Sequence, residues 1–385
     1  MSLAQDNARP LKKPATLEED SSSKELKATT RSSVQQNDAG FLKLPVEILT
    51  IHIVEYIPNV PFGIPHELRQ SRPGNPTGPL LEDVVLERHK VLRALAQTCR
   101  RFRDVFLPLQ WETLDFCASP PGFDDRKPWF VNLTKVIERV CEGLLQSPEL
   151  ASYVSAITVT LTRSSYHPAL PTLARCMQAL PNLQTLQVIH AHDDLIPFME
   201  ESFKGFTFPR IRTVFLPAQT HKLLLSCPEV RRVVFTDSYS NPVEMVATMA
   251  VTCKNIERLE GMSRLISTVI LRDLIKAVPN LKQMELNLEW SDEEQIMALT
   301  GLEQLTEINL ITYDLEPHEA LQAEKANIDA AREVLRKSSA PKEEKMLRIR
   351  CGMEVEPYRW PFERTSKSYS GPMMIGPRWV RVIEI

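Results

Sequence analysis

One short hydrophobic pattern recurs along the chain from residue 154 onwards. It consists of an apolar residue, two residues of any type, a second apolar residue, one residue of any type and a third apolar residue. Seven segments follow it: Val154-Ile157-Val159, Leu183-Leu186-Val188, Ile211-Val214-Leu216, Val230-Val233-Phe235, Ile256-Leu259, Leu281-Met284-Leu286 and Leu305-Ile308-Leu310. The end of each segment alternates with a period of two, which predicts a strand. The gaps leave room for helices, most clearly at 170–180, 243–250 and 267–278.

This pattern resembles a leucine-rich repeat of irregular period. A single copy cannot bury its own hydrophobic face, whereas stacked copies form a continuous core with strands along one side. The positions where such repeats carry an Asn or Cys ladder hold other residues here: Thr162, Ala191, Gln219, Ser238, Arg264, Glu289 and Tyr313. In the fifth copy Gly261 replaces the third apolar residue. The resemblance therefore implies an irregular solenoid of short parallel strands and helices, and the alternative is an ordinary α/β domain with a parallel sheet.

Two helical patterns precede the repeats. The segment 41–57 carries apolar residues on two helical faces, and Leu44-Pro45 followed by Glu47 suits a helix start. A second seam runs through Leu92, Leu95, Cys99, Phe102, Phe106 and Leu109, which predicts one helix from Leu86 to Phe106. Pro108 is expected to end this helix or to start a turn. Residues 58–85 between the two patterns are rich in Pro and Gly and predict a loop. Because the predicted helix at 41–57 is apolar on two faces, other parts of the protein or a partner must cover both faces.

The residues of these segments resemble an F-box of the fungal type. Leu44, Pro45, Glu47, Ile48, Leu49, Cys99, Arg100, Trp111 and Leu114 stand at its pattern positions, while Phe102 occupies a position that is usually Trp. The resemblance implies a small all-α domain that binds an SKP-family adaptor and, through it, a cullin scaffold. The implied adaptor-binding residues are Leu44, Pro45, Ile48, Leu49, Leu95, Cys99, Phe102 and Trp111. The alternative is that both helices only pack on the domain that follows.

Three regions result from these patterns. Residues 1–38 are polar and poor in aromatics, which predicts a disordered tail. Residues 39–116 form the F-box with its Pro/Gly-rich insertion at 58–85, and residues 117–385 form the repeat region, which binds substrate. This last region includes one long helix at 318–338, possible strands at 346–352 and 379–385, and a C-terminal cap that contains Tyr358, Trp360, Phe362 and Tyr369.

Composition narrows the partners and the compartment. The net charge of −3 argues against nucleic acid or an anionic membrane as the partner. The seven cysteines include no CxxC pair, which argues against a disulfide framework or a zinc module and favours a reducing compartment. No apolar run approaches the ~18 residues of a membrane span, and no signal peptide is evident. The sequence therefore predicts a cytoplasmic or nuclear protein.

No motif for phosphate loops, metalloproteases or serine hydrolases is present, so we expect no catalytic residue, no metal and no cofactor. Loops that follow repeat strands are where binding residues gather. The candidate substrate-binding residues at such positions are His190, His192, Asp193, Asp237, Tyr239, Glu289, Trp290 and Tyr313. The hypothesis is a non-catalytic substrate-recognition subunit of an SCF-type cullin–RING ubiquitin ligase that holds a protein substrate. The alternatives are an interaction scaffold that binds the adaptor without ubiquitin transfer, and an enzyme on an α/β domain.

Overall fold

The structure is a computed structural model that describes residues 45, 48, 83–117, 129–236, 241–262, 267–313, 317–355 and 373–384. The predicted tail at 1–38 lies outside these residues, as do most of the predicted loop at 58–85 and the four aromatic residues of the predicted cap.

The fold is mixed α/β, and all the described strands belong to one sheet. Ten strands form one sheet in which spatial order equals chain order. Strands β1 to β9 pair in parallel, and β10 is antiparallel to β9. The strands are β1 Thr113–Phe116, β2 Ala156–Leu161, β3 Thr185–Ala191, β4 Thr213–Leu216, β5 Arg232–Phe235, β6 Arg258–Glu260, β7 Gln283–Asn287, β8 Glu307–Tyr313, β9 Met346–Val355 and β10 Met373–Glu384.

Helices connect most of these strands. Those of the described residues are α1 Asp83–Thr98, α2 Arg100–Trp111, α3 Trp129–Leu145, α4 Pro148–Tyr153, α5 Ala169–Ala179, α6 Ile196–Phe203, α7 Pro242–Thr252, α8 Thr268–Ala277, α9 Glu293–Ala298, α10 Pro317–Ala323 and α11 Lys325–Lys337. Between β4 and β5 the connection is a 3-10 helix, Ala218–Ser226. Shorter 3-10 turns follow β2, β3 and β7 at Arg163–Ser165, Asp193–Leu195 and Leu288–Trp290, and two more lie at Leu299–Gly301 and Lys342–Glu344.

The seven strands predicted from the repeating pattern are all present, as β2 to β8, and the predicted strands near 346–352 and 379–385 correspond to β9 and β10. In the repeats the second apolar position of each copy aligns across the sheet in one row, for example Ile157, Leu186 and Val214. These residues are buried in one core cluster with side chains of the connecting helices, such as Leu173 and Leu271. The sheet therefore buries one face against helices, as the period-two pattern requires.

The predicted helices at 170–180, 243–250 and 267–278 are confirmed as α5, α7 and α8. The 17-residue helix α3 was not predicted, although Leu133, Ile137, Cys141 and Leu144 follow a helical spacing and are buried. The cysteines at 117, 141, 176, 227 and 253 are buried free thiols.

Several predicted boundaries are wrong. The seam at 86–106 is carried by two helices because Cys99 has an extended backbone, with φ −154° and ψ 167°. Pro108 lies inside α2, which continues to Trp111, so it does not end the helix. Helix α1 already begins at Asp83, within the predicted loop. The long helix at 318–338 is likewise divided, because Glu324 between α10 and α11 leaves the helical conformation with φ −104° and ψ 25°.

Candidate functional site

The helices α1 and α2 form a pair that leads directly into the sheet. Cys99 separates them and provides the carbonyl oxygen that accepts a 2.9 Å hydrogen bond from the amide of Arg103. At the other end, only Glu112 lies between Trp111 of α2 and Thr113 of β1. His89 of α1 is fixed to the sheet by a 2.9 Å contact between its Nε2 and the Oδ2 of Asp115 in β1. The helix pair is therefore held at the first strand of the parallel sheet.

A groove of about 870 Å³ runs along this helix pair, and we call it the helix-pair groove. It is lined by Arg93, Ala96, Gln97, Cys99, Arg100, Arg103, Asp104, Leu107, Gln110, Trp111 and Leu150. Four of these residues are apolar, and the others are three arginines, one aspartate, two glutamines and Cys99. Two residues predicted to bind the adaptor, Cys99 and Trp111, lie in this groove and are only partly buried.

The predicted seam is divided between the interior and this surface. Leu92 and Phe106 are almost completely buried, and Phe102 retains 6% of its surface and packs edge-on against Phe106 with 5.5 Å between ring centroids. Leu95 and Cys99 remain partly exposed. Phe102 therefore lies beneath the surface of the pair and does not line the groove.

The other predicted adaptor residues belong to the N-terminal segment. Pro45 is exposed, and Ile48 has a helical backbone with 39% of its surface exposed. Leu44 and Leu49 lie outside the described residues. The sequence pattern did not identify Leu107 or Arg93 as surface residues, because it predicted one continuous helix where the structure has α1 and α2.

The predicted substrate residues that the structure describes lie at the carboxyl edge of the parallel sheet. His190 is in β3, and burial lowers its pKa to about 4 with a smaller contribution from the neighbouring His192. The Nδ1 of His192 accepts a 3.2 Å hydrogen bond from the backbone amide of Asp194. Asp193 is in the 3-10 turn that follows, and its side chain is outside the described part.

Of the remaining substrate candidates, the structure describes the side chains of some and not of others. Glu289 and Trp290 form an exposed turn after β7, where Asn287 Oδ1 accepts a 2.8 Å hydrogen bond from the amide of Glu289. Tyr313 ends β8, but its side chain is outside the described part, and Asp237 and Tyr239 lie outside the described residues altogether. Strands β3 and β7 are four strand spacings apart, roughly 19 Å. The structure therefore does not bring the His190–His192 pair together with the Glu289–Trp290 turn.

Within the described ranges, no group of three or more His, Cys, Asp or Glu side chains has an arrangement that would hold a metal ion. The same residues include no helix that is long and apolar enough to cross a membrane. The chain matches no protein-family model, and no curated protein matches its sequence.

Proposed function

We propose that this protein is a substrate-recognition subunit of an SCF-type cullin–RING ubiquitin ligase. In this role the N-terminal helices bind an SKP-family adaptor, and the sheet with its helices holds a protein substrate. The proposal rests on the F-box resemblance of residues 44–114 together with one structural observation. That observation is the helix-pair groove, which places Cys99 and Trp111 on one accessible surface next to the first strand of the sheet.

The local chemistry of the groove suits a protein partner. Apolar groups from Ala96, Leu107 and Trp111 form a contact area that a partner's side chain can desolvate, and aromatic anchors of this kind dominate interface energetics. Arginine side chains at the rim, such as Arg100 and Arg103, are exposed and are common in protein interfaces. Pro45 and Ile48 present further exposed surface from the segment that resembles the first F-box helix.

The mechanism in this proposal is positioning. The receptor holds a substrate lysine near a ubiquitin-charged enzyme carried by the same assembly, which converts a bimolecular encounter into a nearly intramolecular step. No residue of this chain takes part in covalent chemistry. The finer architecture that belongs to the proposal is an F-box followed by a leucine-rich-repeat-like solenoid. The continuous parallel order β1 to β9, with one new strand per repeat, supports this arrangement.

The adaptor contact is tested with Leu107→Asp. Leu107 lines the groove and is only partly buried, so a carboxylate there places a charge in the centre of the desolvated contact. Adaptor affinity should fall at least about tenfold. The matched control is Ala94→Asp, which adds the same charge at an exposed position of α1 outside the groove lining and should keep wild-type affinity. Circular dichroism and thermal unfolding of both variants show whether the fold is retained, and equal affinity of the folded variants would remove the groove as the docking site.

The scaffold alternative differs from the ligase proposal in the assembly that it predicts. Affinity purification of the full chain should recover adaptor and cullin together, and the purified assembly should transfer ubiquitin to a co-purified protein. Recovery of the adaptor without cullin or ubiquitin transfer would favour an interaction scaffold. Recovery of neither would contradict both.

A further inference from the structure

A second groove, of about 750 Å³, lies at the amino edge of the sheet and crosses the starts of β4 to β8. We call it the strand-start groove and define it by six lining residues: Arg212, Arg231, Arg232, Glu257, Arg258 and Lys282. It is at the opposite edge of the sheet from the loops where the sequence predicts substrate contacts. It is also separate from the helix-pair groove, with which it shares no lining residue.

Backbone pairing places these charged side chains in a row. The amide of Arg231 donates to the carbonyl of Arg212, the amide of Glu257 to that of Arg231, and the amide of Lys282 to that of Glu257, all at 2.8 Å. Each step is therefore one strand spacing of about 4.8 Å. The row from Arg212 to Lys282 spans three spacings, roughly 14 Å, which is the length of about four residues of extended chain.

Two carboxylates at this groove, Glu257 and Glu260, are each shared by two cations. Glu257 lies 3.6 Å from Arg231 and 3.4 Å from Lys282. Glu260, which does not line the groove, is bound by Arg232 at 2.8 Å and also by Arg258. Arg212 pairs with a third carboxylate, Glu229, at 3.0 Å, and a fourth, Glu344, also lines the groove. Five cations therefore face four carboxylates, which leaves an excess of one positive charge.

The excess charge is accessible and partly oriented. The side chains of Arg231 and Lys282 are 57% and 44% exposed, so anionic groups reach them without any rearrangement of the core. The guanidinium of Arg232 lies over the ring of Phe215, 5.2 Å from its centroid, which limits its rotamers. Arginine presents a planar fork of donors that matches carboxylate and phosphate oxygens.

We propose that the strand-start groove binds an acidic polypeptide segment in extended conformation. The segment contributes anionic groups over about four residues, and these groups are carboxylates or phosphates. Charge complementarity supports this occupant, because Arg212, Arg231 and Lys282 lie in one row along the strand starts, with Glu257 as the one carboxylate between them. That the segment belongs to a ubiquitination substrate rests on the proposed function, whereas the binding itself is independent of any adaptor.

The test measures binding of labelled peptides to the full chain by fluorescence anisotropy. Three ten-residue peptides share one scaffold and carry four aspartates, four phosphoserines or four asparagines. The aspartate or the phosphoserine peptide should bind, its affinity should fall steeply with added salt, and the asparagine peptide should bind at least about tenfold more weakly. The two anionic peptides distinguish a plain acidic segment from a phosphorylated one. Equal binding of all three peptides would overturn the proposal.

Variants of the groove connect this binding to the named residues. Arg231→Glu with Lys282→Glu should weaken binding of the anionic peptide at least about tenfold. The matched control reverses two exposed lysines on helices, Lys276→Glu with Lys337→Glu, which changes the net charge equally and should leave affinity nearly unchanged. Equal loss in both double variants would mean that only net charge matters, and would contradict the groove.

A gain-of-binding variant excludes loss of fold as an explanation. Glu257→Gln removes the carboxylate shared by Arg231 and Lys282, so affinity for the anionic peptide should rise about threefold or more. Unchanged or weaker binding would contradict the proposal. In the same experiments the groove variants should retain adaptor binding, and Leu107→Asp should retain peptide binding. Failure of the acidic-segment proposal is therefore separable from failure of the proposed ligase function.

Discussion

The backbone of Gly261 passes so close to Phe235 that a Cβ atom on Gly261 would overlap the carbonyl oxygen of Phe235. Gly261 follows β6 and Phe235 ends the neighbouring strand β5, so the contact lies where two repeats meet. Gly261 also has a φ of 77°, a region that side chains of L-residues rarely adopt. The position at which the repeating pattern loses its apolar residue is therefore one that requires glycine.

Gly261→Ala should destabilise the protein by more than about 2 kcal/mol, because positive φ alone costs a non-glycine residue about 1–2 kcal/mol and the backbone clash adds to it. The free energy of unfolding from urea denaturation measures this loss. The loss should be seen in the purified full chain without any partner.

Two other glycines distinguish the cost of a positive φ from the cost of the backbone clash. Gly205 has a φ of 82° but no atom within 4 Å of a Cβ placed on it, so Gly205→Ala should cost only about 1 kcal/mol. Gly143 lies in α3 with open space around it, so Gly143→Ala should stabilise the protein by about 0.5–1 kcal/mol. Equal losses for Gly261→Ala and Gly205→Ala would show that the contact with Phe235 contributes nothing.

The pH dependence of stability should contain two opposing contributions from the sheet. Glu285 in β7 is partly buried, and burial of its carboxyl, together with the Glu260 carboxylate, raises its pKa from 4.5 to about 7 despite a 3.1 Å hydrogen bond from the amide of Gly261. The native state therefore holds more protons than the unfolded state between these values. The free energy of unfolding then falls as pH rises from about 4.5 to about 7, by roughly 1–3 kcal/mol.

His190 acts in the other direction. Burial, with a contribution from His192, lowers its pKa from 6.5 to about 4. The unfolded chain then binds the additional proton between these values, so this residue makes the free energy of unfolding rise with pH from about 4 to about 6.5. The two contributions partly cancel in the wild-type protein where the windows overlap.

Glu285→Gln and His190→Gln should uncover these contributions separately. Without Glu285 the free energy of unfolding should rise more steeply across the overlapping window, and without His190 it should fall across it. Urea unfolding at several values between roughly pH 4 and pH 8 gives both profiles. Each variant serves as the control for the other, and parallel profiles of the two variants would contradict both assignments.

The strands could be predicted from the sequence because the same apolar spacing recurs in every repeat. In β7, for example, the buried Met284 and Leu286 alternate with the polar and less buried Gln283 and Glu285, so period and burial agree. Helix α3 carries an equally clear helical spacing in Leu133, Ile137 and Cys141, but it lies outside the repeats and was not predicted. The resemblance assigned Leu114 to a small all-α domain, whereas the structure has it in β1, where it is buried in the core of the sheet.

The sites depend on information that a linear pattern does not contain. Arg231, Glu257 and Lys282 are about 25 residues apart in the chain, and only the pairing of β5, β6 and β7 places them side by side. The helix-pair groove likewise depends on a break at Cys99 that no glycine or proline marks. Charge spacing along the sequence therefore identifies neither groove without the strand register and the helix boundary.

Pro108 tests the helix boundary that was predicted wrongly. A proline inside a helix lacks the amide that would donate to the carbonyl four residues earlier, here Asp104, and its ring crowds that carbonyl. Helix α2 nevertheless continues to Trp111. Because the proline destabilises the helix that contains it, Pro108→Ala should raise the free energy of unfolding by about 1 kcal/mol or more. This gain is the net value after subtraction of the conformational entropy that the unfolded chain regains without the proline.

The control for Pro108→Ala is Pro148→Ala. Pro148 is at the first position of α4, where the missing amide has no partner inside the helix and the fixed φ favours the start, so this variant should be neutral or slightly destabilising. Urea unfolding of both variants gives the comparison. If Pro108→Ala instead loses as much stability as Pro148→Ala, the prediction is wrong. The packing of the Pro108 ring at the helix-pair groove would then stabilise the protein by more than the proline destabilises the helix, and Pro108 would be a residue that supports Leu107 and Trp111.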